Sequence, residues 1–381
     1  PIKSSAASDV YKRQLSWSKK MKKIKAIAVS LLMVTCLGAC SQPEKGGNSS
    51  ESDQIYSSEK SEAEDENAQE NKVKNPLTGE YGFNANAVGK RPVAVMVSNI
   101  KASLPQYGID DADIIYELPV EGGITRLMAV YADYTEVPDI CSVRSCRYYY
   151  PILAYGMDAI YCHWGTDRTI ALDTLNDLGI DRFDGNDSSL GYGTVFVRDE
   201  NRAQSYATEH TGCLKGYELE RAIADMGYRT DINEENAGGA FVFNSPDTPE
   251  APEGTVCMSA ELEFSSDYYS TFEFDGESGT YLKYHSGSPH KDGVTGNQLE
   301  FTNVFALETD ISVRSDGKLM DIGLDGGSGY YISMGKAQQV SWSKESAGAP
   351  VKIYGQTGEL ISVNAGKSYI GFIEGADIDL Q

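Results

Sequence analysis

Near residue 240 the hydrophobic pattern of this chain changes period, and that change constrains the fold more than any other feature. Before it, strand-like and helix-like segments alternate. Pro92 to Val97, Asp113 to Tyr116, Leu127 to Tyr131 and Ala159 to Cys162 are short apolar runs of the kind buried strands use. Thr166 or Asp167 can cap a helix whose apolar positions Ala171, Leu175 and Leu178 share a face, with Gly179 as its stop. Leu219, Ile223 and Met226 mark a second helix before Gly227. After 240 only short β-like runs remain, spaced by about ten residues and separated by turns such as Asp275-Gly276 and Asp316-Gly317. The pattern predicts an α/β domain over 75–240 and a mainly antiparallel β domain over 241–381. The junction falls in Asn236–Gly239 or in the Pro/Gly/Glu-rich stretch from Ser245 to Gly254.

The chain ahead of 75 has other work. Residues 1–20 lack periodicity, and Asp9 to Gln14 looks like translated sequencing-adapter DNA, so this stretch is set aside as an artefact or untranslated extension. Residues 21–39 read as a signal peptide. Lys22, Lys23 and Lys25 precede an apolar run from Ala26 to Leu37, which is shorter than the roughly 20 residues a bilayer span needs. The run ends in Leu37-Gly38-Ala39-Cys40, an L-x-x-C sequence that resembles the lipobox of bacterial lipoproteins. That resemblance implies diacylation, palmitate included, at Cys40. The two acyl chains would anchor the protein on the extracytoplasmic face of the cell membrane. Residues 40–74 form an acidic, Ser/Glu/Asn-rich run too polar to bury a core, expected to act as a disordered tether spanning about 30 Å.

Charge then narrows the function. The whole chain stands at -23, and residues 1–40 contribute +7, so the mature body carries -30. Such a surface excludes non-specific nucleic-acid binding and leaves membrane attachment to the lipid. Against this background residues 75–240 hold ten arginines and three lysines, a ratio that reverses after 241. Arginine is favoured where a planar fork must grip a carboxylate or phosphate. Arg126, Arg144, Arg147, Arg168 and Arg198, with Glu121 and His163 nearby in sequence, sit at expected strand ends or turns, where ligands collect in open α/β sheets. Two readings stay open: internal ion pairing, and a cleft for an anionic envelope ligand such as a wall polymer or peptidoglycan carboxylate.

Several segments resemble the YerB-like lipoproteins of Gram-positive-type bacteria, a two-part family of unknown function. Asn75-Pro76-Leu77-Thr78-Gly79, Arg91 to Met96, Val120 to Arg126 and Val143 to Arg147 resemble its N-terminal part. Gly287 to Asp292, Thr295 to Leu299 and Gly366 to Ile370 resemble its C-terminal part. Cys146 stands where a smaller residue such as Ala is expected. The resemblance implies a lipid-anchored cell-envelope address and no activity.

Catalytic motifs are sparse. The four histidines, His163, His210, His285 and His290, occur in no HExxH or C-x-x-C context, so neither metal nor cofactor is expected. His285 and Pro289-His290-Lys291-Asp292 read as a hydrogen-bonded loop cluster. A G-x-S-x-G elbow is missing, and Gly326-Gly327-Ser328-Gly329 reads as a turn. Five cysteines follow Cys40, an odd number, and the sequence assigns no bridge among them. Three functional classes follow, in order: a binding module using the arginines, an envelope hydrolase or transferase with His163 or His210 as base, and an assembly lipoprotein. The oligomeric state is not legible.

Overall fold

The computed structural model describes residues 72–381 except 191–194 and 238. The expectations for the leader, for Cys40 and for all but the last residues of the tether lie outside the described residues. Residues 72–381 cluster as one compact unit.

Its spine is an eleven-stranded sheet. In order across it lie Thr255–Val256, Lys336–Ser343, Gly326–Ser333, Asn303–Glu308, Ser368–Ile373, Ile114–Val120, Ile124–Tyr131, Val93–Ser98, Ile160–His163 and Arg182–Asp184; Lys352–Tyr354 pairs beside Lys336–Ser343. Strand Ser368–Ile373 lies parallel to Asn303–Glu308 on one side and to Ile114–Val120 on the other. The change of period near 240 is real, with helices before it and almost only strands after it. It is not a break in the sheet, because strands from both sides hydrogen-bond to each other. The β part is mainly antiparallel, as expected, but it is not the separate body the sequence pattern suggested, because it shares the large sheet with the α/β part.

Both faces of the sheet are covered, which is why its central strands are continuous apolar runs. All six residues of Val93–Ser98 are buried. Ala94 and Met96 enter one core with the helices Tyr149–Gly156 and Ala171–Leu178. Val93, Val95 and Val97 enter the other, a core that also takes in side chains from a second, six-stranded sheet whose main strands are Ser259–Ser265, Tyr268–Asp275, Thr280–His285 and Ile378–Leu380. Asp167 caps the helix Ala171–Leu178 by accepting the N–H groups of Thr169, Ile170 and Ala171, and left-handed Gly179 (φ 60°) ends it. Helix Tyr149–Gly156 buries seven of its eight residues. It carries no polar stripe, so helical periodicity does not reveal it.

The two sequence regions are also joined by a buried polar network. Lys283, in the second sheet, lies 3.4 Å from the Glu117 carboxylate in the first. Glu117 also accepts from Asn99, Thr125, Ser270 and the Tyr369 hydroxyl at 2.7–2.9 Å. Lys283 Nζ donates to Ser270 Oγ and to Nδ1 of His290, whose Nε2 donates to Gln106. His290 is thus part of an interior lock, whereas the buried ring of His285, at the end of strand Thr280–His285 and 5.5 Å from that of His290, makes no hydrogen bond among the described residues. Cys141 and Cys213, in register on the neighbouring strands Ile140–Cys141 and Gly212–Leu214, form a disulfide. Cys146, Cys162 and Cys257 are buried thiols.

Candidate functional site

Seven strands of the large sheet point the same way, because Ile124–Tyr131 and Gly326–Ser333 each run antiparallel to both of their neighbours. At the carboxyl ends of Ile114–Val120, Val93–Ser98, Ile160–His163 and Arg182–Asp184, the chain enters loops that bring distant residues together. This is the edge at which open α/β sheets hold ligands. Glu121 follows the first strand. Arg126 begins the antiparallel strand beside it and pairs in register with Ser98. Arg144 is tied in by its N–H to the Met96 carbonyl, and Arg147 leads into the helix Tyr149–Gly156.

Four of the arginines picked out in the sequence, Arg126, Arg144, Arg147 and Arg198, converge at this edge with Glu121. Arg147 grips Glu121 with two parallel hydrogen bonds, Nε to Oε2 at 2.8 Å and Nη2 to Oε1. Arg126 is nearly buried, donates to the Ser145 carbonyl and lies 3.9 Å from Glu121. Arg144 donates to the Glu209 carbonyl at 2.8 Å. Arg198 donates to the Thr208 carbonyl at 2.6 Å and lies over the Trp164 ring at 4.2 Å. Among the described residues, Glu121 is the one carboxylate within 4.0 Å of these four guanidinium groups.

The electrostatics reflect that surplus. Burial, then Arg147 and also Arg144, push the Arg126 guanidinium down to about 10, with Glu121 partly opposing them. Burial lowers Arg144 as well; Arg147 and Arg198 add to the shift, and Glu209 opposes it. Arg126 and Arg144 both stay charged at neutral pH. Like charges held together in this way, by carbonyls and one carboxylate, form a cationic patch that can take up an anion.

The other candidates sit differently. Arg168 is exposed on the loop beside the patch, with no carboxylate within 4.0 Å among the described residues. His163 is fully buried, with Nδ1 2.9 Å from the Gly165 carbonyl and 3.8 Å from Asp184, so its ring faces the core rather than the arginines. Burial lowers its pKa, which keeps it neutral. The imidazole beside the patch belongs to His210, lowered first by burial and then by Arg144. Trp164, the ring under Arg198, was not legible in the sequence, because its partner comes from a separate strand 34 positions later. Internal ion pairs, ring contacts or a neutral hydrogen bond account for the other five arginines of this region. Arg91 and Arg229 pair with Asp158, and Arg221 pairs with Glu218. Arg202 is sandwiched between Tyr107 and Tyr206. Arg182 donates to Asn176. The patch is an open edge; a groove of about 470 Å³ lies elsewhere, lined by residues such as Glu235, Phe241, Glu345 and Ile361.

This architecture, an α/β part and a β part sharing one sheet, is that of the YerB-like class. The crystal structure of the YerB protein from Bacillus subtilis superimposes with a TM-score of 0.69 at 24% identity, covering 81% of this chain and 100% of that one. Residues 77–229 match the N-terminal domain, and residues 260–370 the C-terminal domain, described as "Protein of unknown function (DUF3048)". The chain belongs to that two-part family. It is also 26% identical over 319 residues to "Putative lipoprotein YerB" of Bacillus subtilis (strain 168), across 80% of this chain and 88% of the relative.

Proposed function

We propose that this protein is a lipoprotein anchored through Cys40 on the extracytoplasmic face of the cell membrane, and that it binds an anionic envelope ligand at the arginine patch. The observation that carries the binding reading is the convergence of Arg126, Arg144, Arg147 and Arg198 around a single carboxylate, Glu121, in a chain of net charge -23. Three things support the address: the leader ending in Cys40, a relative named as a lipoprotein, and the Cys141–Cys213 disulfide, which suits an oxidising compartment. No described helix is long and apolar enough to cross a membrane.

A positive patch on a negative body favours one kind of anion. A short, multiply charged fragment or chain end gains several bidentate, charge-assisted contacts, each contributing about 1.5–3 kcal/mol. The interior of a long polyanion gains them too, but its remaining charges meet the acidic surface. Titration of short and long wall-derived anions against wild type and Arg144→Lys tests this. The expected result is tighter binding of short fragments, weakening with salt, and weaker binding by Arg144→Lys, which keeps the charge and loses the fork. Equal affinity of the variant and wild type, or no anion binding, returns the arginines to internal pairing.

A further inference from the structure

Glu121 holds an unusual position in the patch. Both of its carboxylate oxygens are engaged by the Arg147 fork, and Oε1 also lies 3.9 Å from Arg126. This is the bidentate geometry that a ligand carboxylate or phosphate would adopt. The Glu121 side chain is about one third exposed while that of Arg147 is 11% exposed, so solvent reaches the pair from the Glu121 side. Burial would raise the Glu121 pKa, but Arg147, and more weakly Arg126, hold it below the ordinary value, so the carboxylate stays ionised. Glu121 sits at the head of a turn formed by Gly122 and Gly123, at φ 81° and 68°. A Cβ at Gly122 would meet no atom within 4 Å, so the turn is unobstructed on that side. Nothing packs Glu121 in as a core ion pair of the Glu117–Lys283 kind, where both side chains are essentially inaccessible.

We propose that Glu121 is the internal occupant of the anion site: its carboxylate fills the Arg147 fork in the free protein, and an incoming phosphate or carboxylate takes that place. The inference rests on reading the patch as an anion site. It makes Glu121 a specificity-determining residue, since a weak anion cannot displace a tethered carboxylate while a multiply charged one can.

The test is calorimetric titration of inorganic phosphate into the full-length wild type, Glu121→Gln and Glu121→Ala at neutral pH and low salt. Removing one charge roughly 6 Å from a dianion in a water-like dielectric predicts about ten-fold tighter binding by both variants, with the gain shrinking as salt is added. Adding Arg147→Met to Glu121→Gln should abolish the gain, because the freed fork is then gone. Thermal melts establish that each variant is folded. Glu121→Gln is nearly isosteric, and Glu121→Ala provides a second reading. Phosphate binding by the wild type with equal or weaker binding by both variants overturns the inference and leaves the anion site standing. Binding by the variants alone supports it. Absence of binding by every form removes the anion site and this inference together.

Discussion

Replacing Lys283 with Met should destabilise the protein strongly at neutral pH and much less in acid. Lys283 and Glu117 have side-chain exposures of 0% and 1%, so neither charge is compensated by water. Removing the ammonium strands the carboxylate, which costs about 3–5 kcal/mol for a buried pair. Four neutral donors remain on Glu117, from Asn99, Thr125, Ser270 and Tyr369, so the lower end of that range is expected. At about 2 °C per kcal/mol for a chain of this size, the melting temperature should fall by roughly 6 °C or more. The pH dependence carries the mechanism. In the wild type, burial tends to raise Glu117, but Lys283 first, and then His285 and the hydrogen bonds, bring it below its ordinary value. That pair therefore stabilises the fold above the unfolded carboxyl pKa of about 4.3, and its contribution is lost as pH falls through the lower folded value. Without Lys283 burial dominates, the folded pKa rises, and the stranded group becomes neutral on mild acidification. Urea unfolding at pH 7 and pH 4.5 measures both effects. The difference between variant and wild type should shrink in acid, and Glu117→Gln/Lys283→Met should recover more than half of the loss. A loss below about 1 kcal/mol at pH 7, or a difference that grows in acid, refutes the reasoning.

Cys40→Ala should move the protein from the membrane fraction to the soluble one; an unchanged distribution on fractionation contradicts lipid anchoring. A single proteolytic cut within 246–254 should leave two fragments that co-elute on gel filtration and separate only in denaturant, because Ser368–Ile373 pairs with Ile114–Val120 and Lys283 with Glu117. Reducing the Cys141–Cys213 bridge, which closes a separation of 72 residues, should lower the urea stability by about 2–4 kcal/mol; no change with reductant contradicts a formed bond.

What the sequence disclosed followed from local periodicity. The strands Val93–Ser98, Ile114–Val120 and Ile160–His163 and the capped helix Ala171–Leu178 announce themselves by apolar spacing and by Asp167 and Gly179. Helix Tyr149–Gly156 does not, because a helix buried on nearly all sides has no polar face to set the period. Long-range pairing was also out of reach. Nothing local in Ser368–Ile373 says that it will lie beside Ile114–Val120 rather than among its own neighbours, so the pattern suggested two bodies where the strands build one sheet. The arginines stood out by their excess over lysine, and their placement at strand ends located the patch. Which of them converge depends on the parallel order of the strands. Parallel pairing sets His163 beside Asp184, and a separate three-stranded antiparallel sheet carries Arg198 over Trp164.

The most direct test of the anion site is a crystal of this protein soaked in millimolar tungstate, a heavy-atom oxyanion visible by anomalous scattering. A dominant anomalous peak is expected at the Arg147 fork, within hydrogen-bond reach of its guanidinium group and beside those of Arg126 and Arg144, and stronger in Glu121→Gln crystals. A map with no peak there, or with its strongest peak at another surface of the molecule, contradicts the arginine patch as the binding site.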